Sequence, residues 1–211
     1  MKKLLIAGLL LTGFFTYGQK TWVGFSIGAN HSQLRYKNTK GVLDENLKGI
    51  PGGTASIFLQ TQVFDKKKSA RYPAATLLST EIGYKSTKIK DKASTILTTW
   101  SLHYLTANLT LRRKANSKKK VNPFYGGGLV ADWFASGTQN LGFEQYDLKE
   151  ELQPLNFSIT AEAGLTYFVG DDSFGTLGLS YLRGISNLET SPDEQALLHS
   201  IKISMAIFFG F

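Results

Sequence analysis

Apolar and polar residues alternate along most of the chain, and the alternation recurs in eight segments. The cleanest is NFSITAEAGLTYFV, residues 156–169, where Phe157, Ile159 and Ala161 begin a series of odd-numbered apolar positions opposed by polar or small residues. Successive side chains of a β-strand point to opposite faces, so a period of two predicts a strand with two different faces. After Gln19 almost no segment has the 3.6-residue period of a helix. The chain is therefore predicted to be all-β.

The other seven predicted strands cover residues 21–30, 53–64, 76–86, 95–113, 123–136, 175–184 and 200–211. In the fourth predicted strand the phase changes. Its second half is apolar at odd positions from Leu105 onward, whereas its first half has Trp100 and Leu102 at even positions. An extra residue in one strand shifts the phase in this way, which predicts a β-bulge near His103.

The connections between predicted strands alternate between long and short. The two longest are residues 31–52 and 137–155, and Pro51 falls in the first of them. Long loops at one end, short turns at the other and both termini on the turn side are typical of outer-membrane barrels. The prediction is an eight-stranded antiparallel up-and-down transmembrane β-barrel. The mean hydropathy of −0.11 agrees with it, since alternating faces cancel in an average.

The N-terminus has the anatomy of a secretory signal peptide. Lys2 and Lys3 precede an apolar run, residues 4–15, and small residues flank a cleavage point before Gln19. We therefore expect residues 1–18 to be removed and residues 19–211 to form the barrel domain. The full chain carries a formal charge of +8 and the mature chain 8 − 2 = +6. Cysteine is absent, which excludes disulfides and thiolate metal sites.

Three segments resemble the small outer-membrane β-barrel proteins of the PorT-like and OmpA/OmpX-like type. The segments are HYLTANLTLRRK at 103–114, NPFYGGGLVADWF at 122–134 and KISMAIFFGF at 202–211. The first is similar to a strand that leads into a basic periplasmic turn, and the second to the glycine-rich strand that follows. The resemblance implies a porin-like barrel in the outer membrane.

The resemblance also implies partners. The C-terminal strand is similar to the insertion signal of such barrels, in which alternating apolar residues end on phenylalanine; here these are Ile207, Phe209 and Phe211. Barrel-assembly machinery would read that signal during insertion. The other expected partners are outer-membrane lipid and further envelope proteins.

Five charged residues fall on the polar face of the predicted strands: Glu81, Lys85, Arg112, Glu162 and Lys202. In a barrel that face is the lumen, and eight strands leave room only for side chains. Buried charges must pair or become neutral. We therefore predict an ion network in which Glu81 and Glu162 meet Arg112, Lys202 or Lys85. A catalytic pair formed by the two glutamates and a narrow ion path are alternatives.

The candidate catalytic groups are histidines. His31 precedes Ser32, but neighbours on a strand point to opposite faces and make a poor nucleophile–base pair. His103 and His199 lie near predicted strand ends. We expect no catalytic, cofactor or metal site and predict that the protein is not an enzyme.

Two basic runs, residues 65–71 and 112–120, fall in predicted turns. Nucleic acid is not expected as a partner, because the protein is exported and the runs lack interleaved aromatic residues. Lysines of these turns would either contact anionic lipid headgroups or be solvated. The predicted function is a non-enzymatic outer-membrane barrel with a structural, adhesive or secretion-associated role. The alternatives are a soluble lipocalin-like carrier with an apolar interior and an outer-membrane lipid hydrolase.

Overall fold

The computed structural model describes residues 20–37, 43–44, 47–65, 75–91, 98–115, 120–170, 172–191 and 193–210. The predicted signal peptide and Phe211 lie outside these residues, as do parts of both basic runs.

The described chain forms ten strands. They are β1 (Thr21–Lys37), β2 (Leu43–Asp44), β3 (Leu47–Asp65), β4 (Ala75–Asp91), β5 (Thr98–Lys114), β6 (Val121–Leu141), β7 (Glu144–Asp147), β8 (Leu155–Phe168), β9 (Ser173–Gly184) and β10 (Gln195–Gly210).

Eight of the strands form a closed antiparallel ring in the order β1-β3-β4-β5-β6-β8-β9-β10. The ring closes where β10 pairs with β1, from Trp22 opposite Gly210 to Lys37 opposite Gln195. The short strands β2 and β7 extend β1 and β6. Closure pairs the edge groups that hydrocarbon could not hydrogen-bond. The predicted eight-stranded antiparallel barrel is confirmed, with two short strands added.

Both termini of the barrel lie at one end, together with the connections after β3, β5 and β8; we call this the turn end. The connections after β1, β4, β6 and β9 lie at the opposite end, the loop end. At the loop end the strands are longer than predicted, since β1 continues to Lys37, β3 begins at Leu47 and β6 reaches Leu141. The prediction of loops at 31–52 and 137–155 is therefore wrong for much of their length, because pairing continues beyond the membrane-spanning part.

The predicted β-bulge is in a different strand. In β5 the even-numbered residues face the interior throughout, with Leu102, Tyr104 and Asn108 all buried. The pairing shifts between His103 and Tyr104 because β6 contains the extra residue, Ala135. The change of apolar phase in β5 thus has another cause, which is the apolar interior of the barrel at the loop end.

Pro51 also departs from the sequence prediction, because it lies inside β3 and not in a connection. The pairing of β3 with β4 shifts between Ile50 and Thr54, so the proline sits at a β-bulge. A bulge is one of the few places in a sheet that tolerate the missing N–H of proline.

The outer face of the barrel is apolar. Large exposed side chains cover every strand of the ring; they include Phe25, Ile57, Ile82, Leu105, Leu129, Ile159, Leu179 and Ile203. Among the exposed aromatic side chains, Tyr84, Trp133 and Tyr181 lie toward the loop end, and Tyr167 and Phe209 toward the turn end. Bands of this kind mark the two membrane interfaces. Among the described residues, no helix is long and apolar enough to cross a membrane.

Candidate functional site

The lumen of the barrel is filled by three layers of side chains. An aromatic cluster of Phe58, Phe174 and Phe208 lies at the turn end. An ion-pair layer lies in the middle. An apolar cluster closes the loop end; its buried members are Leu47, Ile89, Leu102, Tyr104, Leu148, Leu188, Ala196 and Leu198.

The first ion pair joins β10 to β4. The Lys202 Nζ donates to both carboxylate oxygens of Glu81, at 3.1 and 3.3 Å. Ser56 and Asn108 also donate to this carboxylate, at 2.7 and 3.1 Å. Because Glu81 is buried, these four hydrogen bonds replace the water that a carboxylate would otherwise hold.

The second ion pair joins β5 to β8. Arg112 donates from Nε and Nη2 to the two oxygens of Glu162, at 2.5 and 2.9 Å. The guanidinium also lies against the rings of Phe58 and Phe124, 5.2 and 5.3 Å from their centroids. A Cβ at Gly126 would lie 2.6 Å from the Leu111 carbonyl oxygen and 3.0 Å from a Glu162 oxygen, so glycine leaves space for both the strand pairing and the ion pair. Two-point pairing and ring contacts fix the arginine in one position.

The third ion pair contains a residue that the sequence analysis missed. Lys85 donates to Asp132 of β6, and its Nζ lies 5.0 Å from the centroid of the Tyr104 ring. The structure therefore brings all five predicted charged residues into the lumen but distributes them over three separate pairs. Asp132 occupies an even, interior position of a strand whose odd positions are apolar, which is the signal that would have identified it.

A small cavity of about 30 Å³ lies within the ion-pair layer, beside Asn30, Glu81, Asn108, Asp132 and Lys202. A volume of this size holds two or three water molecules. The cavity is too small for a lipid, a peptide or a sugar.

The turn-end aromatic cluster is packed ring against ring. Phe174 stacks on Phe208 with centroids 4.7 Å apart, and Phe58 meets Phe208 edge to face. The Lys114 Nζ lies over Phe168 and Phe174, 4.1 and 4.5 Å from their centroids. These contacts close the lumen at the turn end.

The three histidines all belong to the outer face. His31 is exposed, while Ser32 points inward and hydrogen-bonds Ser200, so the two side chains are on opposite faces. The Nδ1 atoms of His103 and His199 bond the hydroxyls of Tyr84 and Tyr181. The imidazoles of His103 and His199 are thus each hydrogen-bonded to a tyrosine of the loop-end interface band.

Two residues of the expected insertion signal are described. Ile207 and Phe209 lie on the outer face of β10, and Phe211 lies outside the described residues. The position of the two fits a lipid-facing terminal strand, and their recognition during assembly stays a prediction.

Comparison with known proteins shows similarity in fold. No protein-family model matches the chain, and no curated protein sequence does. The outer membrane protease OmpT from Escherichia coli has a TM-score of 0.50 at 7% identity, covering 93% of this chain and 99% of that one. The chain has the fold of outer-membrane β-barrel proteins.

Two further solved structures are similar to this chain. Neisserial surface protein A has a TM-score of 0.47 at 15% identity, covering 89% of this chain and 97% of that one. The outer membrane protein OprG from Pseudomonas aeruginosa has a TM-score of 0.46 at 12% identity, covering 92% of this chain and 96% of that one.

The apolar outer face and the closed ring agree with this fold and place the barrel in the outer membrane. The lipocalin-like alternative is wrong, because a soluble carrier would not expose apolar residues on every strand. The finer assignment to the PorT-like group stays a prediction.

Proposed function

We propose that the protein is a non-enzymatic, non-conducting outer-membrane barrel that presents a contact surface at its loop end, in an adhesive or secretion-associated role. The observation that carries the proposal is the filled lumen. Two clusters and a layer of ion pairs lie in series between the two ends of the barrel. In the part of the barrel that the structure describes, the lumen filled in this way leaves no continuous water path, so we expect contact with partners at the loop end.

The hairpin of β6 and β7 supports the contact role. Leu141 pairs with Glu144, so the turn consists of Gly142 and Phe143 alone. Gly142 has a φ of 62°, which fits a tight hairpin turn with glycine at the first central position. Phe143 is fully exposed at the tip. Phenylalanine is enriched in protein–protein interfaces relative to the rest of the protein surface.

Conductance tests the closed lumen. Purified protein is reconstituted into planar lipid bilayers at several voltages and salt concentrations. We expect no stable conductance steps, because each layer blocks the lumen independently. Reproducible steps from the wild-type protein would contradict the non-conducting part of the proposal.

Site-specific photo-crosslinking in intact cells tests the contact role. A photoreactive amino acid replaces Phe143 at the hairpin tip or, as a matched control, Leu165 on the lipid-facing surface of β8. We expect protein adducts from position 143 and lipid adducts from position 165. If position 165 labels lipid but position 143 gives no protein adduct, the hairpin has no contact role.

The lipid-hydrolase alternative is separated by a turnover assay. Purified protein is incubated with outer-membrane lipid extracts, and the lipids are analysed by mass spectrometry. We expect an unchanged lipid profile. Release of fatty acid that disappears in a His103→Ala or His199→Ala variant would replace the non-enzymatic proposal with a hydrolase.

A further inference from the structure

Six cations lie on the outer face of the barrel near the loop end: Arg35, Lys37, Lys48, Lys88, Lys90 and Arg183. We call the five other than Lys37, the last residue of β1, the basic rim. They belong to β9, β1, β3 and β4, and four of the five are exposed, with Lys90 half-buried. The rim is at the opposite end from the basic runs of the sequence.

Three of these cations form a cluster on neighbouring strands. Lys48 of β3 pairs directly with Lys90 of β4, and Lys88 is the diagonal neighbour on the same face. Side chains directly opposite in a sheet have Cβ atoms roughly 5 Å apart, and like charges there repel. The three ion pairs of the lumen lie inside the barrel, so none of them relieves this repulsion. An anion held between the lysines would relieve it.

Arg35 and Arg183 form the second part of the rim. Arg183 of β9 pairs with His199 of β10, and Arg35 of β1 pairs with Leu197, two residues away from His199 along β10. Because β9 and β1 are the two neighbours of β10, the two arginines lie on either side of His199. Guanidinium groups bind phosphate through two parallel hydrogen bonds.

The height of the rim decides what anion it meets. Arg183 is two residues beyond Tyr181 and Lys88 four beyond Tyr84, both tyrosines of the loop-end interface band. At about 3.3 Å per residue, and with strands tilted, these cations lie roughly 5–10 Å outside the hydrocarbon. That is the headgroup layer of the bilayer. The long side chains reach it while their stems cover apolar surface.

We propose that the basic rim binds a lipid whose headgroup carries two or more phosphates, in the membrane leaflet at the loop end. Arg35 of β1 lies on the strand next to the lysine cluster of β3 and β4, so the two parts of the rim meet there and offer two cationic points to one headgroup. Arg183, on β9, is the member furthest from the cluster. The apolar outer face beneath them contacts the acyl chains of the same lipid. A singly charged headgroup would satisfy only one part.

The test titrates purified protein in neutral detergent with diphosphoryl lipid A, monophosphoryl lipid A or phosphatidylcholine, and counts bound lipid by native mass spectrometry. We expect the wild-type protein to prefer the diphosphoryl form. At roughly fivefold per cation near a lipid surface, the triple variant Lys48→Gln/Lys88→Gln/Lys90→Gln weakens binding on the order of 100-fold. Arg35→Gln/Arg183→Gln weakens it by about 25-fold.

A matched control removes the same charge at the turn end. Lys20, Arg113 and Lys120 are exposed there, and their triple glutamine variant should bind diphosphoryl lipid A like the wild type. The heat-dependent gel shift of a closed barrel verifies folding of every variant. Equal losses in both triple variants, or no loss in the rim variant, would overturn the proposal. Displacement of the lipid by millimolar inorganic phosphate would do so too, since free phosphate would then be the ligand.

Discussion

The membrane-spanning part of the barrel and its loop-end extension arrange their side chains in opposite ways. In the spanning part, Ile82 and Leu105 face outward while Glu81 and Arg112 face inward. In the extension of the same strands the interior is apolar, and the outer face carries the basic rim.

The difference follows from the medium outside the barrel. Hydrocarbon surrounds the spanning part, so the outer face must be apolar, and the interior accepts polar groups if they pair. Water and headgroups surround the extension, so its apolar residues pack inside as in a soluble protein. One continuous sheet therefore contains two folding environments, and strands that enter the extension, such as β4 and β5, change their apolar face on passing from one to the other.

Breaking an ion pair of the spanning part should have the largest effect on the free energy of unfolding. Glu162→Gln leaves the buried Arg112 guanidinium without its counter-charge, and we expect a loss on the order of 3–5 kcal/mol. Arg112→Met combined with Glu162→Gln should recover part of that loss. Urea unfolding in lipid vesicles measures all three variants. Strictly additive losses would mean that the two residues do not interact.

Truncating a side chain of the loop-end cluster should lower the free energy of unfolding slightly less than breaking an ion pair does. Leu102→Ala removes buried apolar volume, and we expect a loss of about 2–5 kcal/mol in the same unfolding assay. Leu105→Ala is the control three residues further along β5, because its side chain faces lipid and leaves no internal cavity. A larger loss for Leu105→Ala than for Leu102→Ala would contradict an apolar interior at this end.

An outward arginine distinguishes the two environments directly. Ile82→Arg places a charge against hydrocarbon and should cost about 2–4 kcal/mol. Ser86→Arg, on the same face of β4 but near the loop-end interface, should cost no more than about 1 kcal/mol. Equal losses at the two positions would remove the boundary between the environments.

The smallest effect is a pH dependence of the loop after β9. Partial burial raises the pKa of Glu189 above its ordinary value, and the nearby Glu194 and Glu151 raise it further. A carboxyl with a raised pKa stabilises the folded state at low pH, and this contribution is lost as the pH rises through the raised pKa. Amide exchange of residues 185–191 should therefore quicken as the pH rises above 4.5, after correction for intrinsic rates. In Glu189→Gln that extra dependence should vanish; its persistence would assign it to another group.

The spanning part could be predicted from the sequence because its two faces differ at every step. Strands such as β8 alternate without interruption, and the charged residues on their polar faces could be assigned to the lumen from the alternation alone. The actual pairing could not be predicted, since the register that places Lys85 near Asp132 depends on how eight strands close.

The loop-end extension was harder to predict for a physical reason. Trp100 and Leu102 keep the interior phase of β5, but they are apolar where the spanning part of that strand is polar. A change from hydrocarbon to water outside the barrel and a β-bulge have the same effect on the sequence, because both shift the apolar residues from odd to even positions. Here the two coincide, because β6 does contain an extra residue opposite this point.

A cysteine scan of β5 tests the two-environment account most directly, because the chain contains no native cysteine. Spin labels are placed one at a time at positions 99–111 in lipid vesicles, and their collisions with oxygen and with a water-soluble nickel complex are measured. We predict lipid contact at odd positions 105–111, water contact at odd positions 99–103, and protection at even positions throughout. Exposed labels at positions 100 and 102, with protected labels at 99 and 101, would contradict the account and place the bulge in β5.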